Sequence, residues 1–182
     1  MLYYIDSLLL NVSVGLLGGA CLLRLYMQQQ RIGFGNPLGQ VVMALSNWLV
    51  LPLRRVLPAW GKWDTASLVA AYLLQLVQSL VLYWMIAGLS AGVPLHALFG
   101  LAHLVLTGLM GLLIVYAILS WVQSRSPLTD VVERLCAPLL RPIRRFVPLV
   151  GGLDLSPLVL LVLLQVASIV LSFLQATALS AL

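Results

Sequence analysis

The stretch that decides the fold is Asn36 to Gln75, NPLGQVVMALSNWLVLPLRRVLPAWGKWDTASLVAAYLLQ, because the chain contains it twice. Shifted by 90 positions, it lies without a gap on SPLTDVVERLCAPLLRPIRRFVPLVGGLDLSPLVLLVLLQ, Ser126 to Gln165, with 17 identities in 40 positions. Pro37 falls on Pro127, Pro52 on Pro142, Arg54 and Arg55 on Arg144 and Arg145, Pro58 on Pro148, Gly61 on Gly151, Asp64 on Asp154 and Gln75 on Gln165. Shared apolar composition does not reproduce matched Pro, Arg and Asp positions, so the chain is an internal duplication. The same shift lays Leu16, Gly18, Leu22, Leu23 and Tyr26 on Leu106, Gly108, Leu112, Leu113 and Tyr116, which carries the match upstream. The two units are residues 1–92 and 93–182.

Around this repeat the chain is 62% hydrophobic and 8% charged over 182 residues, against roughly 45–50% apolar and 25% charged in a soluble domain. That excludes a conventional soluble enzyme. Apolar stretches near 5–27, 66–90, 97–122 and 156–180 each exceed the roughly 20 helical residues needed to cross about 30 Å of hydrocarbon. They are apolar on every side, where barrel strands would alternate, so they read as helices. The expected fold is an all-α membrane protein with four transmembrane helices. They form two parallel repeats, each with a Pro-kinked amphipathic helix between its spans.

Nine of the ten Lys and Arg residues lie in segments 28–65 and 123–155. The positive-inside rule therefore places both segments in the cytoplasm and both termini outside. The tenth, Arg24, is near enough to a span end to snorkel. The net charge of +5 thus serves orientation, and no nucleic acid partner is expected. Each unit crosses the membrane an even number of times, so the repeats are parallel rather than inverted, which argues mildly against a rocking carrier. Gly18-Gly19-Ala20-Cys21 vaguely resembles a lipoprotein cleavage site. It lacks a preceding basic region and an aliphatic residue three positions before the cysteine, so a retained helix is expected.

In the second unit Leu128, Val131, Val132, Leu135, Leu139, Ile143 and Phe146 recur at helical steps, with Asp130, Glu133, Arg134, Arg141, Arg144 and Arg145 between them. Asn36-Pro37 and Ser126-Pro127 are helix starts, a capping side chain followed by a proline that needs no amide partner. Pro52 in one copy, and Pro138 and Pro142 in the other, are expected to kink or break the helix before it ends near Pro58 or Pro148. A basic amphipathic helix beside a membrane binds anionic phospholipid headgroups, each cation contributing about 1 kcal/mol. Arg54, Arg55, Arg141, Arg144 and Arg145 are the residues expected to do so, or to bind a protein partner. In the sharper form of this reading, PLRRVLP and PIRRFVP are related by an approximate two-fold and offer four guanidiniums to one phosphate- or carboxylate-bearing partner.

Asp64 and Asp154 precede the return spans and read as helix caps, with Ser156 and Pro157 reinforcing the second start. Gln75 and Gln165 sit about ten residues into their spans, roughly 14 Å deep. Hydrogen bonding across the repeat axis is the preferred reading, a permeation site the alternative. No charged residue falls in the middle of a span, which disfavours a proton-coupled pump. His96 and His103 are two turns apart, about 10.5 Å, and cannot share one metal. Cys21 and Cys136 are expected to be free thiols, and Gly15 with Gly19 forms a short GxxxG step. No nucleophile and base pair, phosphate loop or Cys cluster occurs. No enzymatic activity, catalytic residue, metal or cofactor is therefore expected. A homo-oligomer and a membrane-protein partner both remain open.

The doubled Pro, Arg-Arg and Asp pattern, above all SPLTDVVERLCAPLLRPIRRFVPLVGGLDLSPLVLLVLLQ, resembles the YggT (YlmG) family of bacterial membrane proteins, which has relatives in cyanobacteria and plastids. The first copy departs from it: Lys62 and Trp63 replace the second Gly and the following Leu, and Thr65-Ala66-Ser67 replaces Leu-Ser-Pro. Any role of that turn therefore rests on Gly151, Gly152, Asp154 and Ser156. The resemblance implies a plasma-membrane protein contributing to osmotic and salt tolerance or envelope homeostasis. Its alternatives are a small channel or accessory for potassium uptake, and a scaffold for division or cytochrome assembly. It transfers no catalytic residue.

Overall fold

The computed structural model describes residues 2–57, 64–86, 92–122, 126–145 and 154–180. All of the regular elements in them are helices: α1 Leu2–Gln29, α2 Pro37–Val56, α3 Thr65–Ile86, α4 Val93–Val122, α5 Pro127–Arg144 and α6 Ser156–Ser180. Four are long and apolar enough to cross a bilayer, over Ile5–Gln29, Thr65–Trp84, Val93–Ser120 and Ser156–Ser180. The order span, amphipathic helix, span thus occurs twice, as the duplication requires. Pro58, Gly61, Pro148, Gly151 and Gly152 lie outside the described residues.

Local chemistry sets the helix ends. Asn36 accepts a hydrogen bond from the Gly39 amide at 2.8 Å and Ser126 one from the Thr129 amide at 3.3 Å, each with proline in the first helical turn. α1 closes differently. The Ile32 amide reaches back to the Met27 carbonyl and the Arg31 amide to that of Gln28, while Arg31 takes φ 56°. This is a Schellman cap with an arginine where glycine is favoured. Arg31→Gly is expected to raise stability by about 0.5–1 kcal/mol, read as a later midpoint in denaturant titration of the detergent-solubilised protein.

Pro52, Pro138 and Pro142 all lie inside continuous helices, so of the kink or break expected there, a break does not occur. A proline removes one amide and crowds the preceding turn, but side chains packed on either side hold the helix through it. Val42, Ser46 and Val50 are buried along α2, and Val131, Val132, Leu135, Cys136 and Leu140 along α5. Each amphipathic helix is therefore docked on its own unit, α2 on α1 and α3, α5 on α4 and α6.

The units meet where α3 and α1 pack on α4, with α2 touching α5. An approximate two-fold would also seat α6 against α1, as the counterpart of α3 on α4. Instead α6 packs on α4 and α5. The repeats follow one another head to tail, which corrects the two-fold expected from the duplication alone. Cross-unit cores fix this order: Leu101 packs on Cys21, Val50, Ala66, Ala70 and Ala71, and Leu112 on Met27, Ile32, Val42, Val131 and Leu135. The Tyr26 hydroxyl donates to the Leu135 carbonyl at 2.8 Å.

Candidate functional site

The repeated arginine and aspartate form the same device in both units. Arg144 binds Asp154 through Nε at 2.8 Å and Nη2 at 2.7 Å, and donates to the Tyr116 hydroxyl at 2.7 Å. Arg54 makes the matching ion pair with Asp64. The end of each amphipathic helix is thereby clamped to the start of the following span. The aspartates also cap those spans, Asp64 through the Ser67 amide and hydroxyl and Asp154 through the Ser156 amide at 2.9 Å.

Unit 1 adds a second cation. Arg24 is 1% exposed and does not snorkel. Its guanidinium turns into the protein, donating to Ser46 at 2.9 Å and Asn47 at 2.8 Å, with Nε 3.8 Å from Asp64. Inward bonding wins because α2 supplies two oxygen acceptors and Asp64 a charge, which together replace water. Unit 2 has Ile114 at the corresponding position, and Tyr116 takes over the link to the clamp. Ser156 is buried, and its hydroxyl has no partner among the described residues.

Burial opposes ionisation of both aspartates, but hydrogen bonds outweigh it. Those from Arg54 and Ser67 hold the Asp64 carboxyl below its ordinary range, and those from Ser156 and Arg144 do so for Asp154. Burial also disfavours the charged form of Arg144, yet Asp154 and Tyr116 push its pKa up. Burial raises the Cys136 thiol to about 12, with Arg144 opposing. Both cysteines are free and buried. A depressed folded-state pKa gives stability that is full above the unfolded carboxyl value and is lost as pH falls through the folded value. Stability in detergent is expected to hold from neutral pH down to about 5 and to fall below about 4, and thermal unfolding across that range measures it.

The second arginine of each pair behaves differently from the first. Arg55 and Arg145 are exposed, as is Arg141, and none of the three has a hydrogen bond or ion pair among the described residues. The two amphipathic helices also differ outwardly. α2 exposes Val41, Trp48, Leu51 and Val56, an apolar ridge suited to the headgroup region. α5 exposes Asp130, Glu133, Arg134 and Arg141.

A cavity of about 360 Å³ lies among the four spans. Asn11, Gln75, Gln78, Ser79, His96 and His103 line it, joined by Thr107 and Gln175. Gln78 binds Asn11 at 2.5 Å, Ser79 lies 3.1 Å from His96, and His103 lies 3.0 Å from Ser172. The two histidines thus join different helix pairs. Neither glutamine has a hydrogen bond among the described residues; Gln75 is half-buried and borders the cavity against Gly100, whereas Gln165 is exposed. The expected hydrogen bond between Gln75 and Gln165 does not form, because head-to-tail packing gives the two different neighbours. Gln78 and Ser79 stand out in the sequence as polarity beside Gln75, whereas Asn11, Thr107 and Gln175 do not; polarity within apolar spans is the available signal. Among the described residues no group of three or more His, Cys, Asp or Glu side chains converges to hold a metal.

Four apolar spans, two docked amphipathic helices and a clamp at each return define a duplicated all-helical membrane protein. The CCB3/YggT family model matches residues 4–85 and 95–175, one match per unit, and the chain belongs to that family. It is 42% identical over 178 residues to the uncharacterized protein YggT of Escherichia coli K12, covering 94% of this chain and 92% of the relative. A Vibrio alginolyticus protein described by its place in the proC 3' region is 39% identical, covering 81% of this chain and 82% of its own length. An uncharacterized Haemophilus influenzae protein is 27% identical, covering 79% and 78%. No solved structure matches.

Proposed function

We propose that this is a non-enzymatic plasma-membrane protein that holds two basic helices at the inner leaflet and thereby contributes to envelope homeostasis under osmotic or salt stress. One observation carries the reading: in each arginine pair the first residue is clamped to an aspartate, while the second is exposed and has no partner among the described residues. A fixed helix with free guanidiniums binds headgroup phosphates without first ordering itself. The apolar ridge of α2, with Trp48, supports insertion beside them.

The test is the triple variant Arg55→Gln, Arg141→Gln, Arg145→Gln, purified from membranes and assayed by mass spectrometry for retained phosphatidylglycerol. The wild type is expected to retain it over phosphatidylethanolamine, and the variant to lose that preference and fail to restore growth in high salt. Equal retention would remove the lipid role. Crosslinkers at positions 55 and 145 that captured one dominant soluble protein would replace it with the scaffold reading.

A second reading has its own observation, the polar cavity between the spans. Amide, hydroxyl and imidazole groups there can replace part of a small cation's hydration, as an accessory to ion uptake requires. Potassium flux into liposomes holding only the purified protein, abolished by Gln75→Leu, would establish it over the surface role.

A further inference from the structure

The duplication supplies a template for a surface that the single chain leaves open. In unit 1 the face toward unit 2 is built from Gly18 on α1 and Gln75, Ser79 and Tyr83 on α3. A Cβ on Gly18 would lie 2.7 Å from the Leu104 side chain, Gln75 packs on Gly100, and Ser79 and Tyr83 pack on His96. What covers this face is another copy of the same unit.

Its repeat counterparts are Gly108 on α4 and Gln165, Ile169 and Phe173 on α6. Gly108 is exposed, and nothing lies within 4 Å of where its Cβ would be. Ile169 is 62% and Phe173 71% exposed. Exposed apolar side chains on a span are ordinary, because lipid covers them. A primary amide exposed on the outer face near mid-membrane, as Gln165 is and Gln75 is not, is otherwise, since hydrocarbon offers its N–H and C=O no partner.

We propose that this α4/α6 face binds a second copy of the chain, with Gln165 at its centre. The internal interface argues for that occupant, because the equivalent face is already covered by a YggT unit, with Gln75 half-buried against Gly100. The next copy cannot dock through α1 in the manner of α4. Val14, the counterpart of Leu104, is buried within its own chain, and Leu10 stands where Gly100 provides the notch for Gln75. Two copies therefore meet face to face about a two-fold axis along the membrane normal. A glutamine amide both donates and accepts, so Gln165 pairs with its own counterpart across that axis. Gly108 lets the backbones approach.

Single cysteines at Ile169 and Phe173, oxidised in native membranes, test the surface; Cys21 and Cys136 are buried and stay in place. Covalent dimers are expected from both positions, and none from Leu8→Cys or Leu16→Cys on the outward side of α1. Gln165→Leu is compatible with a lipid-facing site, and it is expected to weaken dimerisation about tenfold by single-molecule subunit counting in bilayers. Gly108→Ile is expected to act in the same direction. Single copies at every protein-to-lipid ratio would overturn the proposal, as would equal crosslinking from the α1 positions or a crosslinked product containing a different protein.

Discussion

Asp64→Asn is expected to destabilise the protein by about 3 kcal/mol, whereas Asp154→Asn at the matching position costs about 1 kcal/mol. The carboxylate of Asp64 is fully buried and faces both Arg54 and Arg24. Its loss strands the Arg24 charge in a site where only Ser46 and Asn47 remain. Asp154 faces Arg144 alone, whose side chain is 40% exposed and can turn to water. Denaturant titration of the two variants in mixed micelles measures the difference. Adding Arg24→Met to Asp64→Asn should recover most of the loss, because the uncompensated charge goes with it. If the two single variants lose equal stability, Arg24 is not bound to the clamp as described.

Leu140→Ala is expected to cost about 3 kcal/mol and to release α5 to proteolysis. Leu140 is fully buried in a cluster with Leu113, Tyr116, Val132 and Cys136, against Leu160, Leu161 and Leu164 of α6. A helix resting only on headgroups would trade protein for lipid at that position and lose little. Limited proteolysis between α4 and α6, with Leu139→Ala as a half-buried comparison, separates a docked helix from a floating one. The surface proposal needs the docked outcome, because free guanidiniums on an undocked helix must be ordered at the moment of binding.

Much of this architecture follows from local rules. Asn36 and Ser126 cap where a small polar residue before proline should, and Ser156–Ser180 coincides with the expected fourth span. Helix propensity, capping and apolar length act over a few residues and are written where they act. The pairing of Arg54 with Asp64 was not legible, though both were matched to the second copy, because the sequence shows recurrence without showing contact. From sequence Arg24 reads as a snorkelling cation, because its acceptors, Ser46 and Asn47, come from another helix.

The sequence by itself determined the membrane class, the duplicated unit, the four spans and the amphipathic helix inside each unit. Composition and periodicity suffice for these, since bilayer thickness and helix geometry leave few solutions. Only the tertiary structure decided that the units stack head to tail, that one arginine of each pair is clamped while its neighbour has no partner among the described residues, and that Gln75 borders the cavity while Gln165 faces outward. Matched residues in the two units receive different surroundings because α4 packs on the α1/α3 face of the first unit, whereas among the described residues nothing packs on the matching α4/α6 face of the second.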